Sequence, residues 1–242
     1  MCRSVRFDLN ALKGTSCQDC LKRQLSLLEG LSHDELEQLD RNRTKVDYKP
    51  GEILFKEGSK IQGLICLNQG KIKTYNHSSA GVEQILSLKK PVDFLGLNDL
   101  LTGSVHHTSA MAIDEVTVCI IEKEDFLRIA QKNMAFTWRI NRHLAESARQ
   151  TENRLLDLTQ KHMRARMADG LLYILDFYGL RQEDDWVNFS LKRADMAALT
   201  NMTTANAIRV LSTFAQEKLI TLDGRNLRIN RPDKIRHISL MG

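Results

Sequence analysis

Long apolar runs are missing from this 242-residue chain. No stretch approaches the ~20 residues a helix needs to span a bilayer, and no signal-peptide core stands at the N-terminus, so a cytoplasmic protein with no membrane partner is expected. No repeat of 20–50 residues is visible, which argues against propellers and solenoids. The groupings that carry catalysis are also absent: there is no phosphate-cradling glycine loop and no nucleophile–base arrangement, and an enzyme is not expected. Cysteine is sparse and odd in number, with Cys2, Cys17, Cys20, Cys66 and Cys119. In a reducing compartment that count favours metal binding or burial over disulfides. The "CQDC" pair at Cys17–Cys20 lacks the βαβ context of a thioredoxin-like dithiol.

What is present is an ordinary globular composition, 42% hydrophobic, with a net charge of +5. Most of that excess lies late: residues 161–242 hold 13 Lys+Arg against 9 Asp+Glu, a balance of +4. A basic C-terminal segment suits a polyanionic partner, most simply nucleic acid.

From Tyr48 to Glu122 turn signals recur every 8–12 residues ("KPGE", "EGSK", "NQGK", "SSAG", "LTGS"), separated by short, partly alternating runs such as "KIKTY" and "VTVCII". This spacing predicts an antiparallel β-sandwich or barrel. The period changes after Lys123. "EKEDFLRIAQKN" predicts a short helix, and a helix of about 40 Å follows from Met134 to His162. Along it Thr137, Ile140, Leu144, Ala148, Thr151, Leu155 and Leu158 keep a 3-4 spacing that suits a two-helix seam, favouring a homodimer. An apolar helix in "MADGLLYILDFYGL" comes next, with Met163 and Met167 read as core.

Near the C-terminus, helices are predicted over Arg193–Leu199 and from Thr203 to Glu217, joined by a short turn at Thr200–Met202. A hairpin turning at Asp223–Asn226 follows. Two short helices with a tight turn and a trailing hairpin describe a winged helix-turn-helix. Ala197 and Ala207 let the helices cross closely. Thr203, Thr204, Asn206 and Arg209 are the candidate DNA contacts, because hydroxyl and amide groups reach phosphates or base edges and arginine grips guanine bidentately. The first helix has Lys192 where a capping Ser or Thr is common, with Ser190 available as a substitute cap.

The order of these parts resembles the CRP/FNR family of bacterial transcription regulators. The resemblance runs over almost the whole chain and rests on "KPGEILFKEG", "LNQGKIKTY", "GLNDLLTGSVHH" (Gly96–His107), "RARMADGLLYIL" and the helix-turn-helix. It implies an α+β protein with four parts: an N-terminal arm (1–30), a β-roll or jelly-roll sensor domain similar to cyclic-nucleotide-binding domains (31–132), a dimerisation helix (133–162) and a winged helix-turn-helix domain (163–242). The implied partners are double-stranded DNA bearing a pseudo-palindromic site, a second copy of the chain, and RNA polymerase, touched through the Leu97–Gly103 loop. Nucleotide-binding members place an acidic residue and an arginine where this chain has Leu97 and Thr108, so no cyclic nucleotide is expected: a buried phosphate would lack its counter-charge. FNR-type recognition helices present Glu, Ser and Arg, whereas the matching positions here are Ala205, Ile208 and Arg209, which implies a different target.

The oxygen-sensing FNR branch holds a 4Fe-4S cluster on three N-terminal cysteines and one distant one. Cys17, Cys20 and Cys119 match three of these positions, and Ser26 stands at the other. Cys2 is the first candidate for the fourth ligand, with Asp19, Ser26 or a histidine as weaker donors. A tetrahedral zinc site on the same thiols and a Cys17–Cys20 dithiol switch remain open alternatives. So does a metal-free Crp-type regulator answering another small effector. Cys66 has no counterpart in that pattern and reads as core, and His106 and His107 read as surface loop residues.

Overall fold

The structure is a computed structural model that describes residues 26–241 apart from Ala80, Ser104 and Leu191. Helix α1 (His33–Arg41) opens the described chain. Its start is fixed by a capping box, in which the Ser32 hydroxyl accepts from Glu35 N while the Glu35 carboxylate accepts from Ser32 N.

Eight strands follow: β1 (Thr44–Tyr48), β2 (Ile53–Phe55), β3 (Gly63–Gln69), β4 (Ile72–His77), β5 (Glu83–Lys89), β6 (Phe94–Leu95), β7 (Ser109–Ala112) and β8 (Val116–Glu122), with the short helix α2 (Leu97–Thr102) between β6 and β7. They form two antiparallel four-stranded sheets, ordered β1-β8-β3-β6 and β2-β7-β4-β5. Alternation along the strands sends Ile65, Leu67, Ile72, Ala110, Ala112, Val116 and Val118 into the space between the sheets. This is the expected β-roll.

Helices α3 (Lys123–Lys132) and α4 (Met134–Gln160) close the outer face of the first sheet. A second apolar cluster forms there from Leu27, Leu28 and Leu36, Leu64 and Ile121 of the sheet, and Phe126, Phe136 and Ile140 of the helices. Asn133 caps α4 by accepting from Phe136 N. The rings of Phe126 and Phe136 meet edge to face with centroids 5.5 Å apart.

The C-terminal domain comprises α5 (Met163–Tyr178), α6 (Arg193–Leu199), α7 (Thr204–Gln216), the hairpin β9 (Ile220–Asp223) and β10 (Asn226–Ile229), and α8 (Pro232–Leu240). Met167 is fully buried in its core, whereas Met163, also expected there, is 41% exposed at the first turn of α5. Gly170 is where α5 passes the turn between α6 and α7: a Cβ there would lie 2.5 Å from Thr200 Cγ2, so only glycine fits.

The third apolar cluster crosses the domain boundary. Tyr75, Ile85 and Leu88 of β4 and β5 share one continuous core with Leu171, Met196, Ala198 and Phe214. Polar bonds run along the same junction. Gln84 Nε2 donates to Ala198 O (2.6 Å), Tyr173 Oη accepts from Leu88 N (3.3 Å), and Tyr178 Oη donates to Lys89 O (3.1 Å). Arg154 of α4 reaches into it as well, with Nη2 donating to Ile85 O (2.9 Å) and Leu199 O (3.0 Å).

Candidate nucleic-acid interface and sensor site

The helix-turn-helix is assembled much as the spacing predicts. Ala197 and Ala207 are buried at the α6–α7 crossing, and Met202 N donates to Ala197 O (3.0 Å) to close the turn. Asn201 takes a left-handed conformation (φ 52°) in that turn, a geometry that asparagine adopts more readily than most residues. The Thr203 hydroxyl accepts from Asn206 N (3.2 Å) as the N-cap of α7, so it serves the helix first. Thr204, Ala205, Ile208 and Arg209 are exposed on one side of α7, while Asn206 is half-buried. Ile208, which stands where FNR-type helices carry a polar group, is 45% exposed.

The start of α6 differs from the reading of the sequence. Lys192 is the N-cap and makes no side-chain cap bond, and Ser190 does not replace it. The first turn instead contains the buried carboxylate of Asp195, whose Oδ1 accepts from Lys73 Nζ of β4 at 2.7 Å. Lys73 also donates to Glu83 at 2.7 Å. Burial works against the Lys73 ammonium, yet the hydrogen bonds and charges of Asp195 and Glu83 outweigh it and hold its pKa above the usual lysine value. This ion pair across the domains was invisible to motif reading, since nothing local marks a strand lysine as the partner of a helix 122 residues away.

Two further groups flank α7. The wing carries exposed Arg225 at its tip, and Arg193 Nη2 donates to Gly224 O (3.3 Å), tying the wing turn to α6. Arg164 pairs with Glu217 at the end of α7 and draws that carboxyl below its ordinary pKa. The motif reading passed over Arg225, although a basic residue in a predicted wing turn is a signal for phosphate contact.

On the sensor side, Cys2, Cys17 and Cys20 lie outside the described residues. Cys119 is buried on β8, and Arg43 Nη1 donates to its Sγ at 2.9 Å. Arg43 is itself held by Asp40 at 2.7 Å. Cys66 is the direct partner of Cys119 in the β3–β8 register. Ser26 Oγ accepts from Leu28 N at 3.1 Å. Among the described residues no group of three or more His, Cys, Asp or Glu side chains gathers as a metal site.

Leu97 is buried at the first turn of α2 and Thr108 is half-buried, and neither side chain carries a charge. His106 is not a surface loop residue: it is buried, stacks on Phe55 with centroids 3.8 Å apart, and its Nδ1 lies 3.3 Å from Asp99. His107 is exposed and shares the same carboxylate at 2.9 Å.

The expected dimer residues divide. Ile140 is buried and Leu144 half-buried against the sensor domain of the same chain. Ala148, Thr151 and Leu155 face outward, and Leu158 is half-buried. The outward side of α4 also carries Met134 and Trp138, the latter 70% exposed. Met134, Trp138, Ala145, Ala148 and Leu155 keep heptad spacing on this outward side, sharing Ala148 and Leu155 with the seam the sequence suggested.

Comparison with known proteins agrees with this layout. Residues 45–133 match the family model of the cyclic nucleotide-binding domain, and residues 165–238 match that of the Crp-like helix-turn-helix domain. The chain is 26% identical over 227 residues to the fumarate and nitrate reduction regulatory protein of Vibrio cholerae, covering 93% of this chain and 88% of that one. It is 26% identical over 229 residues to the transcriptional activator protein Anr of Pseudomonas protegens, covering 93% and 92%. Among solved structures, FixK2 from Bradyrhizobium japonicum superposes with a TM-score of 0.73 at 20% identity, covering 81% of this chain and 96% of that chain. A crp/fnr-family regulator from Eubacterium rectale also gives 0.73, at 18% identity, covering 88% and 97%.

Proposed function

Because the chain belongs to the CRP/FNR family of transcription regulators, we propose that it is a homodimeric regulator that binds a pseudo-palindromic operator and answers oxygen or nitric oxide through an iron–sulfur cluster. DNA binding by its helix-turn-helix, and not catalysis, is the activity of this family. The observation that carries the reading is the free outer side of α7: Thr204, Ala205, Ile208 and Arg209 are exposed beside a wing whose tip bears Arg225. Two such helices in a dimer lie about 34 Å apart on successive major grooves.

The redox reading draws on relatives named for anaerobic regulation and for fumarate and nitrate reduction, together with Cys17, Cys20 and Cys119. Bound at those thiolates, a 4Fe-4S cluster supplies a link that oxygen or nitric oxide can break. The protein's own contribution is the packing beneath Cys119. Phe136 and Ile140, with Leu144 beside them, seat α4 on the outer face of the first sheet, so a change in that face bears directly on α4. The outward seam from Met134 to Leu155 is the dimer contact in this reading. A shift between two packings of α4 then changes the spacing of the recognition helices. RNA polymerase would meet the α2 surface, where Leu101 is exposed. Cyclic nucleotides have no charged partner at Leu97 or Thr108.

The test is operator binding by anaerobically purified protein, before and after air, on a site selected from a random-sequence library. Binding several-fold tighter without oxygen, accompanied by iron and acid-labile sulfide, supports the proposal. Equal affinity and no iron hand the protein to the metal-free, effector-binding alternative. In either case Arg209→Ala is expected to weaken the selected site by ~1–3 kcal/mol and to relax preference at one base position. Unchanged binding would remove Arg209 from the readout.

A further inference from the structure

Most of α7 obeys the amphipathic rule. Ala207, Leu211 and Phe214 are buried, while Ser212 and Gln216 are exposed. Ile208 breaks that rule, being an isoleucine left 45% exposed on the outward side. Packing within the domain does not account for it, and a β-branched residue is a weaker helix former than alanine. Its neighbours on that side are Thr204 one turn earlier and Ala205 three positions earlier, close enough for side chains to adjoin. Ala205 brings no polar atom in its side chain, so Ile208 sits in a carbon-rich part of an otherwise polar face.

Several polar groups around it are already engaged in holding the helix. The Thr203 hydroxyl caps α7 at Asn206 N (3.2 Å), and Thr213 Oγ1 donates to Arg209 O (3.0 Å). Asn206 is half-buried. At the far end Glu217 pairs with Arg164, whose guanidinium also lies over the Phe214 ring at 4.8 Å. Beside Ile208, polar reach toward DNA comes from Thr204 and Arg209. The bases differ sharply in what they offer an apolar side chain in the major groove. Guanine presents two acceptors there, cytosine an amino donor and adenine one of each, and these groups would lose water without gaining a partner. Thymine alone presents a methyl group.

We propose that Ile208 is a specificity residue that packs on the 5-methyl group of a thymine in the major groove of each half-site. Arg209, the next residue along, supplies the polar contact beside it. Preference then comes from two sources: burial of carbon against thymine, and the cost of stranding a polar base edge opposite isoleucine with any other base. This rests on the operator-binding reading above and is independent of any metal.

The experiment uses the full chain and a site selected from a random-sequence library. Each thymine of that site is replaced in turn by deoxyuridine, which differs from it only in lacking the methyl group. The Kd of every duplex is then measured for wild type and for Ile208→Ala. The substituted position is exposed and alanine favours the helix, so the variant keeps its fold, which unchanged circular dichroism checks. At one thymine per half-site, loss of the methyl is expected to weaken wild type about four-fold, the worth of one buried carbon. Ile208→Ala is expected to bind the unmodified site more weakly and to lose all distinction between thymine and deoxyuridine at that position. A deoxyuridine effect of equal size in wild type and variant assigns the methyl to another group and overturns the proposal. No effect at any thymine, or a selected half-site without thymine, overturns it as well, and both leave operator binding standing. Failure to enrich any site sinks the operator-binding reading and this inference together.

Discussion

The β-roll is covered on two sides by different kinds of contact. The outer face of the first sheet is sealed by α1, α3 and α4 mainly through Leu, Ile and Phe side chains, with polar contacts at the edges: Asn42 donates to Asp125, Asn133 to Glu35, and Arg43 to Cys119 Sγ. The β4–β5 hairpin is instead fastened to the DNA-binding domain by the Lys73–Asp195 pair, Gln84, Tyr173, Tyr178 and Arg154, laid over a shared apolar core. Apolar packing tolerates small slides of a helix, because dispersion is non-directional. Charge-assisted bonds hold one register and fail when their geometry changes.

This contrast can be broken by substitution. The largest effect is expected on the apolar side. Phe136→Ala should cost about 4 kcal/mol in chemical denaturation, the cost of a large buried ring, and no second-site polar change should restore it. Next comes Lys73→Met, which leaves the Asp195 carboxylate buried without its cation and should cost about 3 kcal/mol. Adding Asp195→Leu should recover most of that loss, since a buried pair replaced as a unit by apolar groups is often neutral. If the double variant is no more stable than the single one, the junction does not depend on charge pairing. The smallest effect is Gln84→Ala, about 1 kcal/mol for one hydrogen bond. A loss near zero would mean that Ala198 O finds water instead.

Much of this was legible in the residues. Turn signals every 8–12 positions gave the strands, and a clean 3.6-residue period with small residues at the crossing gave α6 and α7. Two helices passed unread despite local marks: Ser32–Glu35 is a capping box before an apolar pair, and Pro232 sits at the first turn of α8. Helix α4 is apolar on two sides, so the 3-4 spacing read along it mixes inward residues with the outward Ala148, Thr151 and Leu155. Ile140 and Leu144 serve the chain's own sensor domain, and Trp138 lies on the other side. The opposition of Cys66 and Cys119 depends on the register of β3 against β8, which no periodicity reveals. Lys73–Asp195 is a contact between remote elements and leaves no trace in spacing.

The core that spans the domain boundary also limits modularity. Cutting the chain at the α4–α5 junction, where the fold seems to divide, would strip Tyr75, Ile85 and Leu88 from Leu171, Met196 and Phe214. A DNA-binding fragment beginning at Met163 would carry that bared patch into solution and tend to self-associate. A chimera that exchanges only the last eighty or so residues with a relative would inherit mismatched surfaces on both pieces. Recombination that respects this protein must take the β4–β5 hairpin along with the helix-turn-helix, as a single heritable unit.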